Sequence, residues 1–282
     1  MSVEKYFALA GSPQCSGTIF KKGGPIVPIV SMSRKFFEGC FYAEAGWIME
    51  PHEREGLIKH DSDELMLFAG SNPQNPEPLN AEIEIQIEND VITITENSFV
   101  FVPAGAAHGN IRVKSLEKPV FCHTCHLTSD VYSAASAEAA SPVGTYSGNV
   151  VHKYAPVDGK LPTAPEGFLT RLLWIDGKKL SGAPYMEAVW FLQTNDTGPE
   201  EHDHDFDEVI AFFGSDPSRP DELGGEIEFL IDGEKFSFTK NCLVYVPQGV
   251  DHSPILVPKL EKPILHFSGG NGGDYKRSSG KF

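Results

Sequence analysis

The chain has little of what marks several large protein classes. No stretch approaches the roughly 20 consecutive apolar residues of a membrane-spanning helix, so no membrane partner is expected. Basic residues are scarce: 23 lysines and arginines face 39 aspartates and glutamates, a formal net charge of -16. Nucleic acids and anionic membranes select basic surfaces, which argues against both as partners. The simpler role of the acidic charge is solubility. Cysteine is sparse, with five residues and no regular spacing, so a disulfide framework is not expected. A reducing, cytoplasmic setting is the default for such a chain. Met1-Ser2-Val3-Glu4-Lys5 has no basic segment followed by an apolar core, and no secretory signal is expected. No Gly-x-Ser-x-Gly elbow and no Gly-x-x-x-x-Gly-Lys-Ser/Thr loop occurs, so serine-hydrolase and phosphate-cradle readings lack support. What is present suffices for globular cores: 40% of the 282 residues are hydrophobic and 11% aromatic.

The chain is also a repeat. At an offset of 144 residues, His60 falls on His204, Glu64 on Glu208, Gly70 on Gly214 and Pro73 on Pro217. Further on, Glu82-Ile83-Glu84 meets Glu226-Ile227-Glu228, Val102-Pro103 meets Val246-Pro247, and His108 meets His252. Leu116-Glu117-Lys118-Pro119 meets Leu260-Glu261-Lys262-Pro263. One ungapped offset over this length implies two copies of one structural unit.

Each copy reads as β-structure. Glu82 to Ile87 and Val91 to Thr95 alternate polar and apolar residues, the period of a half-buried strand. Asp232-Gly233 marks a tight hairpin in the second copy. Further strands are expected at Ser98 to Val102, Tyr185 to Gln193, Val209 to Phe213 and Leu243 to Val246. Closely spaced Gly/Pro turns and no helical period point to an all-β chain of antiparallel sandwich or barrel type. Ser129 to Asn149 is small and polar and reads as a linker with room for one helical turn. The domains are then 1–150 and 151–282.

The chemistry-bearing residues concentrate in the second copy. If His202-Asp203-His204-Asp205-Phe206-Asp207-Glu208 is a strand, His202, His204 and Glu208 share a face and the three aspartates point away. Phe206 has an even offset and points inward with the ligands. His252 follows the Pro247-Gln248-Gly249 turn and joins them from a neighbouring strand. Imidazoles and a carboxylate on one concave face suit a divalent first-row metal: Fe, Mn, Ni, Co or Zn. Two surface histidines in an acidic loop would be the bland reading, but the Glu spacing, the second motif and the repeat agree against it.

These motifs resemble those of the cupin superfamily, and the repeat makes the chain similar to a bicupin, two cupin domains in one chain. The first motif reads Gly198, His202-Asp203-His204, Glu208 and Gly214, with a shorter Gly-to-His spacing than the common form. The second reads Pro247-Gln248-Gly249-Val250-Asp251-His252. The resemblance implies two tandem antiparallel β-barrels of jelly-roll type, with one divalent transition metal in each active barrel. It also implies homodimer pairing through exposed edge strands. The N-terminal copy departs from the pattern, with Ile58 at the position of His202. It retains His60, Glu64 and His108 as a possible second metal site, three ligands at best, and nothing fixes the direction of His52.

Phe121-Cys122-His123-Thr124-Cys125-His126 invites a zinc reading, but no second cysteine pair exists for it. On a strand, Cys122, Thr124 and His126 face one way and His123 and Cys125 the other. His266 aligns with Cys122 and is a cavity candidate. Trp190 and Phe212 are further candidates, for which core packing is the simpler reading.

A three-His, one-carboxylate site leaves coordination positions open to water or substrate. The sequence therefore supports a metal-dependent enzyme acting on a small oxygenated substrate, an enol, ketone or phenol, in the C-terminal unit. The reaction is dioxygenation or non-redox isomerisation or lyase chemistry, with Glu208 as ligand or catalytic base. The alternative is a non-catalytic ligand-binding or storage-type bicupin.

Overall fold

Alternation becomes burial in the computed structural model, which describes residues 3–13, 17, 19–159 and 163–278. Every second residue of Pro78–Ile87 is buried, the behaviour of a strand with one face on a core. Asp232 and Gly233 both have positive φ, which gives the hairpin there a twist matching its flanking strands.

After a 3-10 turn at Val3–Tyr6, the strands in chain order are β1 (Phe7–Leu9), β2 (Ile26–Met32), β3 (Tyr42–Ile48), β4 (His52–Lys59), β5 (Glu64–Gly70), β6 (Pro78–Ile87) and β7 (Asp90–Glu96). Then come β8 (Ser98–Val102), β9 (His108–Leu116), β10 (Val120–His126), β11 (Ala135–Ser136), β12 (Val150–Val151), β13 (Leu169–Ile175) and β14 (Tyr185–Phe191). The last are β15 (Glu208–Gly214), β16 (Glu222–Ile231), β17 (Glu234–Lys240), β18 (Cys242–Val246), β19 (His252–Leu260) and β20 (Ile264–Gly270). Among the described residues no helix is long and apolar enough to cross a membrane.

The strands form antiparallel sheets in two similar units. The first unit has a sheet ordered β12-β8-β5-β10-β3-β2 and a second ordered β11-β4-β9-β6-β7. The second unit has β1-β18-β15-β20-β14-β13 and β17-β16-β19. Each unit encloses its own apolar core, built on Ile83, Ile85 and Val100 in the first and on Phe212, Phe229 and Val244 in the second. A third core lies between the units, where Trp47, Phe121 and Leu67 meet Phe213, Phe267 and Trp190. The Phe121 and Phe213 ring centroids are 4.7 Å apart across it. Trp190, a cavity candidate in the sequence, therefore packs between the units instead.

Both main sheets gain a short edge strand, and one of these, β1, crosses between the units. Phe7–Leu9 pairs with Cys242–Val244 in the second unit, and Val150–Val151 pairs with Phe99 and Val100 in the first. The Phe7 ring anchors its strand, 4.4 Å from Phe236 and 5.6 Å from Phe238.

The segment read as a loose linker contains no helical turn. It is strapped to the first unit through its backbone. Ala140 and Ser141 donate to Glu88, and Gly144 and Tyr146 donate to Asp90. These amides hold both carboxyls below their ordinary pKa, against a burial effect that is the largest single influence on Glu88. Small residues with free N–H groups supply the anchoring that side chains do not.

Two histidines are packed in apolar surroundings. His123 lies against Phe267, ring centroids 4.6 Å apart, and burial lowers its pKa to about 3. His266 stacks on Phe191 at 4.7 Å and donates from Nδ1 to the Ala211 carbonyl, and burial lowers its pKa to about 4. Phe212 lies beside it at 5.0 Å in the same core.

Phe7→Ala should destabilise the protein by about 3 kcal/mol, as expected for deleting a buried aromatic side chain. Urea unfolding measures this, and a loss below about 1 kcal/mol would mean that β1 is dispensable. The histidines give a pH effect. Unfolded imidazoles take their proton near 6.5, whereas these two stay neutral in the fold to about 3 and about 4. The unfolded state then binds more protons. Their contribution is complete above pH 6.5 and is lost as pH falls toward 4, at up to about 1.4 kcal/mol per pH unit per group. In metal-free protein, His123→Leu with His266→Leu should flatten that slope; an unchanged slope refutes the assignment.

Candidate metal centres

The run from His202 to Asp207 is not a strand. It is irregular, with a single bridge between His202 and His252, and only Glu208 begins a strand, β15. The ligands nevertheless converge, because the bridge fixes the first histidine and the strand start fixes the carboxylate. His202 N donates to His252 O at 3.0 Å and His252 N donates back at 2.9 Å. The ligating nitrogens of His202, His204 and His252 all lie within 4.8 Å of one another. Glu208 Oε2 is 3.1 Å from His252 Nε2 and 3.5 Å from His204 Nε2. All four residues are buried.

The orientation of each ring is set by its other nitrogen. Nδ1 of His202 donates to Glu200 O, that of His252 to Val250 O, and that of His204 to Lys276 O. A carbonyl can only accept, so Nδ1 carries a proton and Nε2 is the atom aimed inward. His204 Nε2 and Glu208 Oε2 are buried without a hydrogen-bond partner. Unpartnered buried polar atoms are costly, and converging imidazole and carboxylate donors fit a divalent cation. Burial lowers the pKa of His202 to about 4. Burial opposes ionisation of Glu208, but His204 and His252 hold its pKa at about 2. The carboxylate is thus ionised and the His202 imidazole neutral near pH 7, as metal ligation requires, while Glu208, against the effect of burial, raises the pKa of His252 in the metal-free site.

The surroundings carry further groups. Phe206 stacks on His204 at 4.6 Å and occupies the space beside Gly270. A Cβ at Gly270 would lie 2.4 Å from that ring. Tyr275 packs against His204 at 5.4 Å and accepts a hydrogen bond from Arg277 Nε at 2.8 Å. The Arg277 charge reaches His202 and His252. Tyr185, Gly270 and Glu208 form a row across three strands. Two residues along β14, Glu187 accepts from the Tyr154 hydroxyl, and burial and the Glu208 charge raise its pKa.

In the N-terminal unit, Glu64 Oε2 is 2.8 Å from His108 Nε2 and 3.5 Å from His60 Nε2. Nδ1 of His60 donates to Ser133 O at 2.6 Å and that of His108 to Ala106 O at 3.0 Å. A fourth side chain is present, one the motif does not contain. His126, at the end of β10, lies with its ring centroid 4.5 Å from that of His60, and its Nε2 is 3.9 Å from Glu64 Oε1. His52 does not join; it starts β4 and its Nδ1 donates to Glu50 O.

The structure also shows a repeated pair that the offset of 144 conceals. Tyr42 and Glu44 pair with His126 and Thr124, while Tyr185 and Glu187 pair with Gly270 and Ser268. A Tyr-x-Glu thus stands in the same place beside both sites, displaced by one residue in the alignment. Glu44 accepts from Tyr42 and from the Ile19 and Phe20 amides. A one-residue gap before β3 would have exposed the pair in the sequence.

No protein-family model and no curated protein matches the chain. Solved structures do. A variant of Bacillus subtilis oxalate decarboxylase is similar at 12% identity and a TM-score of 0.58, covering 95% of this chain and 81% of that one. The same decarboxylase at pH 4.6 is similar at 12% identity and 0.58, covering 95% and 80%. Vicilin from tomato, Solanum lycopersicum, is similar at 9% identity and 0.61, covering 97% and 87%. The internal repeat, the paired units and these likenesses agree: the fold is that of a bicupin, two cupin units in one chain.

Proposed function

We propose that this protein is a metal-dependent enzyme that acts on a small oxygenated organic substrate at the C-terminal site. The observation that carries the reading is the buried set of His202, His204, Glu208 and His252, with its inward Nε2 atoms and the unpartnered Glu208 Oε2. Closed jelly-roll barrels around each site and a reducing, cytoplasmic setting belong to the same reading. So does a homodimer paired through edge strands.

A divalent metal held there would supply Lewis acidity toward a carbonyl or enolate oxygen and acidify bound water. The chain's own residues do the rest. Arg277, beside the ligand set, would draw an anionic oxygenated substrate to the site. Glu208, if freed from ligation, is placed to take a proton, and Glu187 with Tyr154 forms a neighbouring pair able to hold one. Phe206 and Tyr275 present ring faces that exclude water. Dioxygenation and non-redox isomerisation or lyase chemistry both suit these groups, and the likeness to oxalate decarboxylase supplies an example of decarboxylation on this fold. A storage-type bicupin is supported by the vicilin likeness alone, and storage gives no reason to bury four converging ligands.

Metal analysis of protein purified without chelator and supplemented in turn with Mn, Fe, Co, Ni and Zn tests the reading. His204→Ala with His252→Ala should lower the content by about one ion per chain and abolish turnover; a C-terminal site that takes no metal under any supplementation ends the proposal. Full activity under strict anaerobiosis would remove the oxygenase branch. Arg277→Gln should raise KM about 10-fold or more, the worth of a charge-assisted hydrogen bond, and leave metal content unchanged. An unchanged KM would show that Arg277 does not contact substrate.

A further inference from the structure

The two sites differ by a coupled exchange of side chains. At the position of His202 the N-terminal unit has Ile58, and at the position of His126 the C-terminal unit has Gly270. The neighbouring position changes with them. Ser62 stands where the C-terminal unit has Phe206. The Phe206 ring fills the space that a side chain at residue 270 would need. Ser62 leaves that space free, and its Oγ hydrogen-bonds Nδ1 of His126 at 2.9 Å. The small residue admits the histidine and also orients it.

The N-terminal set is otherwise arranged like the C-terminal one. His60, Glu64 and His126 offer ligand atoms within 4.8 Å of one another, with His108 2.8 Å from Glu64. Nε2 of His60, Nε2 of His126 and Oε2 of Glu64 are buried without hydrogen-bond partners. The Thr124 hydroxyl donates to Glu64 Oε1, which leaves Oε2 as the inward oxygen. Three orphaned atoms meeting at one point call for a cation.

We infer that the N-terminal unit is a second, complete centre for a divalent first-row metal, held by His60, Glu64, His108 and His126. His126, from the end of β10, replaces the imidazole that His202 gives its counterpart from the first motif. The surroundings change accordingly: Ile58 pairs with His108 where His202 pairs with His252, and the Phe206 ring stands beside Gly270 where Ser62 stands beside His126. This centre does not depend on the chemistry proposed for the other site.

Metal stoichiometry and affinity test the inference in full-length protein, with Mn(II) and Co(II) as probes. Wild type should hold about two ions per chain, and the His204→Ala/His252→Ala background about one. Adding His126→Ala to that background should weaken the remaining ion more than ~100-fold, beyond the effect of losing an outer-shell partner. A background that binds no metal overturns the second centre, even if wild type holds one ion. An unchanged Kd after His126→Ala overturns the role of His126. A graft guards against misfolding. Ser62→Phe with His126→Gly copies the C-terminal packing and should also lose the ion, and adding Ile58→His should restore it. Failure to restore it, in a protein with a cooperative thermal transition, would refute the equivalence of the two ligand positions.

Discussion

Everything at the two sites depends on a small constraint: imidazole Nδ1 atoms are tied to backbone carbonyls. A buried histidine with a free ring could rotate or change tautomer. Here the carbonyls of Glu200, Val250 and Lys276 in one unit, and of Ser133 and Ala106 in the other, remove those choices for five rings. The Nε2 atoms are committed to the interior, beside a buried carboxylate. Two of these carbonyls, Ser133 and Lys276, come from segments that follow the equivalent strands β10 and β20. Those segments therefore complete the sites as well as leaving them, and each also brings a tyrosine, Tyr132 or Tyr275, against its histidine.

The sheets supply the rigidity that this aiming requires. Glu64 and Glu208 begin strands that are buried along their whole length, β5 and β15, each with hydrogen-bonded neighbours on both sides. Such strands serve two cores at once, one within the unit and one between units. A ligand at the start of such a strand inherits its position from both. The irregular run carrying His202 and His204 lacks this support, and its bridge to His252 takes its place.

Much of the fold was legible because period-2 alternation and turn residues are local signals. Ser98 to Val102 was bounded to the residue, and the face assignment within Phe121 to His126 agrees with the packing. Cys122, Thr124 and His126 face their own unit, and Cys125 faces the core between units. The repeat named His60, Glu64, His108 and their counterparts. What it could not name was any group that breaks the offset. His126 has a glycine as its counterpart, so the comparison that exposed the other ligands hid this one. Tyr42 and Glu44 were hidden by a single-residue shift. The linker misled for another reason: its anchors are backbone amides, which every sequence has and none displays. Trp190 shows the limit of reading a large aromatic near a site, since which side of a sheet it occupies is settled by tertiary packing.

The placement of β1 in the second unit's sheet has a meaning for how such a chain is put together. A strand that completes a neighbour's sheet is the usual signature of swapping between two identical subunits. Here the donor and acceptor are halves of one polypeptide, so the swap is intramolecular and its effective concentration is fixed by the connecting segment, not by the amount of protein. Phe7–Leu9 can find its partners only once Cys242–Val244 of the second unit is in place. β1 thus fastens the two halves of the chain to one another, whatever each comes to hold.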